Sequence, residues 1–206
     1  MLGLGWVLRY WDSRLHWTML VCPAAKIDLR AMRLMLLRHA KAEKADADMH
    51  DHDRALNARG RSDATSIGAY LSRHGLTPEL AVSSTAKRTR ETWEAIAQKF
   101  SVAPASRFDD RLYNANGKAI LQVIRGIEAR VHTLMLIGHN PGLHEFACSV
   151  IASGDIEERE LLREGLPTAG LAVIGVAGAQ WRDLHFHGGR LEHFVTPRSL
   201  ATADRV

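Results

Sequence analysis

Two short apolar runs, Leu34-Met35-Leu36-Leu37 and Leu134-Met135-Leu136-Ile137, constrain the fold more than any other part of the sequence. Each is too short for an independent helix and too continuously apolar for a strand with one wet face, so each reads as a strand buried on both sides. The first run stops at Arg38-His39-Ala40 and the second at Gly138-His139-Asn140. Strands of this kind belong to parallel sheets covered by helices, where ligand sites lie beyond the carboxyl ends of the strands. If the two strands are neighbours, His39 and His139 stand together at that edge. The echo is too short for an internal repeat; both stretches meet one demand, a buried strand ending at a site.

The rest of the chain alternates in the same way. A strand over 33–38 leads into a long polar loop over 40–57, which carries Lys41, Glu43, Lys44, His50, Asp51, His52, Asp53 and Arg54. Asn57 is suited to cap a helix with Ala64, Ile67 and Leu71 on one face, ending at His74-Gly75. A strand over 80–83 follows, then a helix capped by Ser84 or Thr85 and running to about Phe100, with Arg88 in its first turns. Residues 105–108 form a third strand, 118–129 a helix, 133–138 the second histidine strand, and 141–152 a helix opened by Pro141. A charged, exposed helix is expected over 155–164. Strands over 171–176 and 191–195 are expected to pair across a turn at Gly188-Gly189. This pattern predicts an α/β sandwich with a mostly parallel central sheet and antiparallel final strands.

At 206 residues with 46% hydrophobic content, the chain suits one domain with a substantial core. That domain is expected over 32–200, between an extension over 1–31 and a frayed tail over 201–206. Trp6, Trp11 and Trp17 stand among charges in the extension, which reads either as an amphipathic surface helix or as a start assigned ahead of Met32. The net charge of +4 favours anions. The charges are mixed along the chain without a basic tract, so nucleic acid is not an expected partner. Cys22 and Cys148 have neither CxxC nor metal-type spacing, which points to a reducing, cytoplasmic location. No apolar stretch is long enough to span a membrane. The sequence sets no oligomeric state.

Arg38 and His39 at one strand end, Arg88 at a helix start and His139 at another strand end gather cationic and hydrogen-bonding groups with no obligatory carboxylate. Such a pocket suits a phosphoryl group, whose oxygens match the guanidinium fork. Like charge from the arginines should lower the pKa of a histidine among them, leaving a neutral imidazole able to attack phosphorus. The intermediate would be a phosphohistidine, with the arginines and His139 stabilising charge on the equatorial oxygens. Blander readings exist for each residue: an accidental surface pair for Arg38-His39, a satisfied core histidine for His139, and a weak surface bridge from Arg88 to Glu91. His50-Asp51-His52-Asp53 and the pair His185 and His187 resemble metal clusters, but neither has a fixed ligand set. They are expected to be a solvated loop at the pocket rim and a solvated strand face. Trp93 and Trp181 read as packing residues.

Leu36-Leu37-Arg38-His39-Ala40, Ser83-Ser84 followed by Arg88 and Thr92, and Gly138-His139-Asn140-Pro141 resemble the histidine phosphatase superfamily, whose fold is phosphoglycerate mutase-like. The Arg-His-Ala form, the stretch Arg54-Ala55-Leu56-Asn57 with Arg59-Gly60, and Leu191-Glu192-His193-Phe194 with Thr196-Pro197 are similar to its short SixA-type phosphohistidine phosphatases. The resemblance covers residues 32–200. It implies a three-layer α/β sandwich, His39 as nucleophile, Arg38 and Arg88 as phosphate ligands, His139 as second catalytic histidine and Arg54 as a further phosphate contact. It implies no cofactor and no metal. Thr85 and Asn140 depart from larger relatives, as does the lack of an obvious general acid: Asn114 lies where one might be sought, and Asp51, Asp53, Asp109 and Asp110 remain candidates. A weak acid position favours expulsion of an imidazole over an alkoxide. The expected activity is therefore a metal-independent phosphatase acting on phosphohistidine in a protein. The alternatives are a phosphatase of small phosphorylated metabolites, a phosphate-binding regulatory module and a metal-dependent hydrolase.

Overall fold

A computed structural model describes residues 32–45 and 49–203. The extension expected over 1–31 and the last residues of the tail lie outside these. The two apolar runs become β1 (Met32–Arg38) and β4 (Thr133–Gly138), adjacent parallel strands in which Leu34 pairs with Leu134 and Arg38 with Gly138. The other strands are β2 (Leu80–Ser83), β3 (Ala105–Phe108), β5 (Ile151–Gly154), β6 (Leu171–Val176) and β7 (Gly189–Val195), in a seven-stranded sheet of order β3-β2-β4-β1-β6-β7-β5. β6 is antiparallel to both its neighbours, and every other pairing is parallel.

Alternation along β1 and β4 divides the core in two. Leu34, Leu36, Leu134 and Leu136 face one side and pack with α3 (Gly117–Arg125) and α4 (Gly142–Val150), chiefly through Ile120, Ile124 and Phe146. Met35, Leu37, Met135 and Ile137 face the other and pack with α1 (Ala58–Arg73) and α2 (Lys87–Ala97), through Ala64, Ile67, Leu71, Trp93 and Ile96. All eight strand side chains are fully buried, each contributing about 1.5–3 kcal/mol relative to exposure. This is the expected three-layer sandwich. Trp93 and Trp181 are buried in it, the latter with its indole N–H donating to the Val131 carbonyl.

Asn57 caps α1 as expected, accepting from the Gly60 amide at 2.8 Å, and Gly75 leaves the helix at φ 65°. Several boundaries differ. The N-cap of α2 is Ala86 and not Ser84 or Thr85; the Ser84 side chain is turned to the site instead. Pro141 stands one residue before α4. α3 stops at Arg125 because Gly126 caps it, short of 129. The helix expected to 152 ends at Val150, and the chain turns directly into β5, an edge strand beside β7. β6 and β7 pair antiparallel, but their connection is residues 177–188 with a turn at Trp181–Asp183, not a tight turn at Gly188-Gly189. His185 and His187 lie in this connection and not on a strand. The charged helix α5 (Ile156–Glu164) is present, and α6 (Pro197–Ala203) continues three residues past the expected domain end.

Candidate active site

Three adjacent parallel strands, β2, β4 and β1, deliver Ser84, His139 and His39 to one edge of the sheet. The His39 amide donates to the Gly138 carbonyl at 3.1 Å, which continues the β1–β4 pairing by one residue and sets the two rings with centroids 5.2 Å apart. Behind His39, the Ala40 amide donates to Thr92 Oγ1 at 3.0 Å and Thr92 donates to the Arg88 carbonyl. The spacing of Arg88 and Thr92 puts both on one helix face. That face joins the strand end to the site.

These contacts fix both imidazole tautomers. His39 Nδ1 lies 2.8 Å from the Ala40 carbonyl, which can only accept, so Nδ1 carries the proton and Nε2 keeps its lone pair. At His139, Arg88 Nη2 donates to Nδ1 at 3.3 Å, so the proton lies on Nε2 and is donated to Ser84 Oγ at 2.8 Å. Both rings are neutral over the ordinary pH range. Burial, opposed by the Ala40 hydrogen bond and reinforced by Arg88, Arg38 and Arg54, lowers the His39 pKa to about 4. Burial, then His39 and Arg88, lowers that of His139 to about 3. Like charge contributes as the sequence suggested, but desolvation is the larger cause.

Arg88 is buried at 4% exposure and pairs with Asp51, not Glu91; Glu91 instead accepts from the Leu56 amide and anchors the loop. Arg54 reaches the cluster through the same carboxylate: its Nη1 donates to Asp51 Oδ1 at 2.8 Å while its other nitrogens hold the Glu43 carbonyl. Arg38 is held by a separate contact. Its Nη1 and Asn140 Nδ2 both donate to the Leu166 carbonyl at 2.9 Å, and it lines a groove of about 1100 Å³ bounded by α5 and α6. The structure thus joins His39, His139 and Arg88 in one cluster, links Arg54 through Asp51, and leaves Arg38 on the Leu166 carbonyl at the groove, its charge still acting on His39.

Asp51, Ser84 and Tyr113 belong to this cluster although sequence reasoning gave them no settled part. Tyr113 donates to Asp51 Oδ2 at 2.9 Å, and its ring meets that of His139 edge-on. Each stood in a stretch already singled out, but only the pairing across the sheet edge reveals the partner. Of the candidate acids, Asp51 is held well below the ordinary carboxylate range, chiefly by Arg54, with Tyr113 and Arg88 adding to it against partial burial. Asp109 is lowered by its hydrogen bonds to Arg111. Among the described residues no group of three or more His, Cys, Asp or Glu is placed to hold a metal ion. Asp51–Asp53 form a single turn that His50 precedes.

Residues 34–119 match the sequence profile of the histidine phosphatase superfamily (branch 1). An uncharacterised protein of Mycobacterium tuberculosis is 34% identical over 164 residues, 79% of this chain and 100% of that protein. The solved structure of a candidate phosphohistidine phosphatase SixA from Agrobacterium tumefaciens is 32% identical and superposes with a TM-score of 0.68, covering 81% of this chain and 99% of that one. A candidate SixA from Nakamurella multipartitia is 29% identical, with a TM-score of 0.67 over 81% and 96%. Likeness of that degree across nearly the whole Agrobacterium chain makes this chain a member of the histidine phosphatase superfamily and a phosphatase of its SixA type.

Proposed function

We propose that the chain removes phosphate from phosphohistidine on a protein by way of a phosphorylated His39. The observation that carries this reading is the His39 tautomer: Nδ1–H is tied to the Ala40 carbonyl, which leaves the Nε2 lone pair beside His139 and Arg88. Nε2 attacks phosphorus, the substrate's P–N bond breaks, and the leaving imidazole takes up a proton from solvent. Water then attacks phospho-His39, the new P–N bond breaks, and orthophosphate departs. Arg38, Arg54 and Arg88 bind the phosphoryl oxygens, whose charge spreads in the transition state, and His139, its N–H on Ser84, orients Arg88 through Nδ1.

The substrate class follows from the leaving group. Asp51 and Asp109 are both held ionised, so neither is poised to protonate an alkoxide. Where neither acts as the acid, a phosphomonoester loses about 10²- to 10⁴-fold. An imidazole leaves with far less help. The groove beside Arg38 gives a protein partner room that a phosphoryl group does not use. The scarcity and spacing of cysteine support a cytoplasmic setting, and no helix of the described residues is long and apolar enough to cross a membrane.

A panel of a phosphohistidine protein, sugar phosphates and nucleotides, each with and without chelator, tests the reading. The phosphohistidine protein should give the highest kcat/KM, with no effect of chelator, and His39→Ala should abolish turnover. Equal turnover of a sugar phosphate would favour the small-molecule reading. Activity of His39→Ala near that of the parent would remove the nucleophile.

A further inference from the structure

The arginines assigned above to phosphate already hold an anion supplied by the chain. Asp51 stands in the single turn Asp51–Asp53. Its Oδ1 accepts from Arg54 Nη1 at 2.8 Å, and its Oδ2 accepts from Arg88 Nη2 and the Tyr113 hydroxyl, each at 2.9 Å. Arg88 Nη1 donates to the Asp51 backbone carbonyl as well. Side chains from three separate segments therefore converge on one carboxylate, as they would on the oxygens of a phosphoryl group. A phosphoryl group needs the same N–H groups, and its charge repels a carboxylate sharing them.

We propose that Asp51 is an internal competitor for the phosphate site, and that the turn at 51–53 must release its carboxylate from Arg54 and Arg88 before substrate binds. The inference rests on the phosphate-binding role given to those arginines. The surrounding structure suits a local release. The base of the loop is fixed by the Ala42–Leu56 bridge and by the Leu56 amide on Glu91. The turn itself is tied to the body by polar side-chain contacts, those of Asp51 and the His52 Nε2 contact with Thr85 Oγ1 at 3.0 Å, and by the His52 ring set edge-on to Tyr113. Asp51 is half-exposed while Arg88 is buried, so the carboxylate has water to move into and the guanidinium does not. Between turnovers the carboxylate neutralises Arg88 and keeps its fork oriented. It also raises the affinity an anion needs to enter, which disfavours retention of free orthophosphate, the product.

Titration of the full chain with orthovanadate, followed by calorimetry, tests this. Asp51→Asn keeps the side-chain shape and removes the competing charge, and should bind orthovanadate about tenfold more tightly than the parent. Tyr113→Phe, which removes one hydrogen bond to the same carboxylate, should shift affinity in the same direction by less. Unchanged or weaker binding by Asp51→Asn would overturn the proposal and make Asp51 a positioning residue for Arg88. If neither the parent nor Asp51→Asn binds orthovanadate, the phosphate reading of the site fails, and the competitor with it.

Discussion

Ser84 is buried and accepts the one proton of His139, so the orientation of the second histidine depends on a hydroxyl that need not touch substrate. Ser84→Ala leaves the His139 Nε2–H without its acceptor, at a cost of about 1–3 kcal/mol if the donor stays buried. The ring can then rotate away from Arg88. We expect kcat to fall about tenfold or more, with KM changed less, because the Arg88 fork that His139 holds meets charge that develops in the transition state. Steady-state kinetics on the phosphohistidine protein checks this, and an unchanged kcat would show that Ser84 is only packing. His39, His139 and Arg88 were legible because strand ends and helix starts are marked locally, by apolar runs and by capping residues. Their partners were not. Asp51 lies 37 positions from Arg88 and 62 from Tyr113, and nothing in the local sequence of any of the three signals that meeting.

At the scale of elements, β1, β2, β4, α1 and α5 could be read from hydrophobic period and end signals, and the misses have physical reasons. β5 follows α4 without a glycine or proline between them, and its apolar start extends the helical pattern, so only pairing with β7 makes it a strand. α6 had a signal that was not used: Thr196 and Ser199 cap each other's amides around Pro197 at the first helical position. One contact between elements, three residues past His139, leaves no room for a side chain. Gly142 opens α4 so close to the approach to α3 that a Cβ there would lie 1.8 Å from the Ala115 carbonyl oxygen, which is backbone and cannot rotate away. Gly142→Ala should therefore destabilise the protein by about 3 kcal/mol or more, as overpacking against backbone does. At Gly126 a Cβ would meet nothing closer than 3.5 Å, and Gly126→Ala should stay within about 1 kcal/mol of the parent. Urea unfolding of the two variants checks the contrast, and similar midpoints would show that α3 and α4 separate freely.

For the whole molecule, the site sets the pH range over which the fold is most stable. His39 and His139 sit at the ends of β1 and β4, held to pKa values of about 4 and about 3 mainly by burial, whereas histidines in the unfolded chain titrate near 6.5. Above pH 6.5 both are neutral in either state and contribute nothing to the pH dependence. As pH falls from 6.5 towards 4, the unfolded chain takes up protons that the folded pair refuses, so stability falls; it levels off only when the folded rings protonate in turn. The loss is on the order of a few kcal/mol and belongs to the coupled pair, not to either ring alone. Asp51, lowered by Arg54 and its other partners, acts with the same sign from the ordinary carboxylate pKa downward, so its loss begins as that of the histidine pair nears its end. The double variant His39→Gln with His139→Gln keeps polar side chains at both strand ends and removes both titrations. Urea midpoints measured from pH 7.5 down to 4.5 should decline with pH in the parent and stay flatter in the double variant, and parallel slopes would mean that the buried pair is not what makes the fold acid-sensitive.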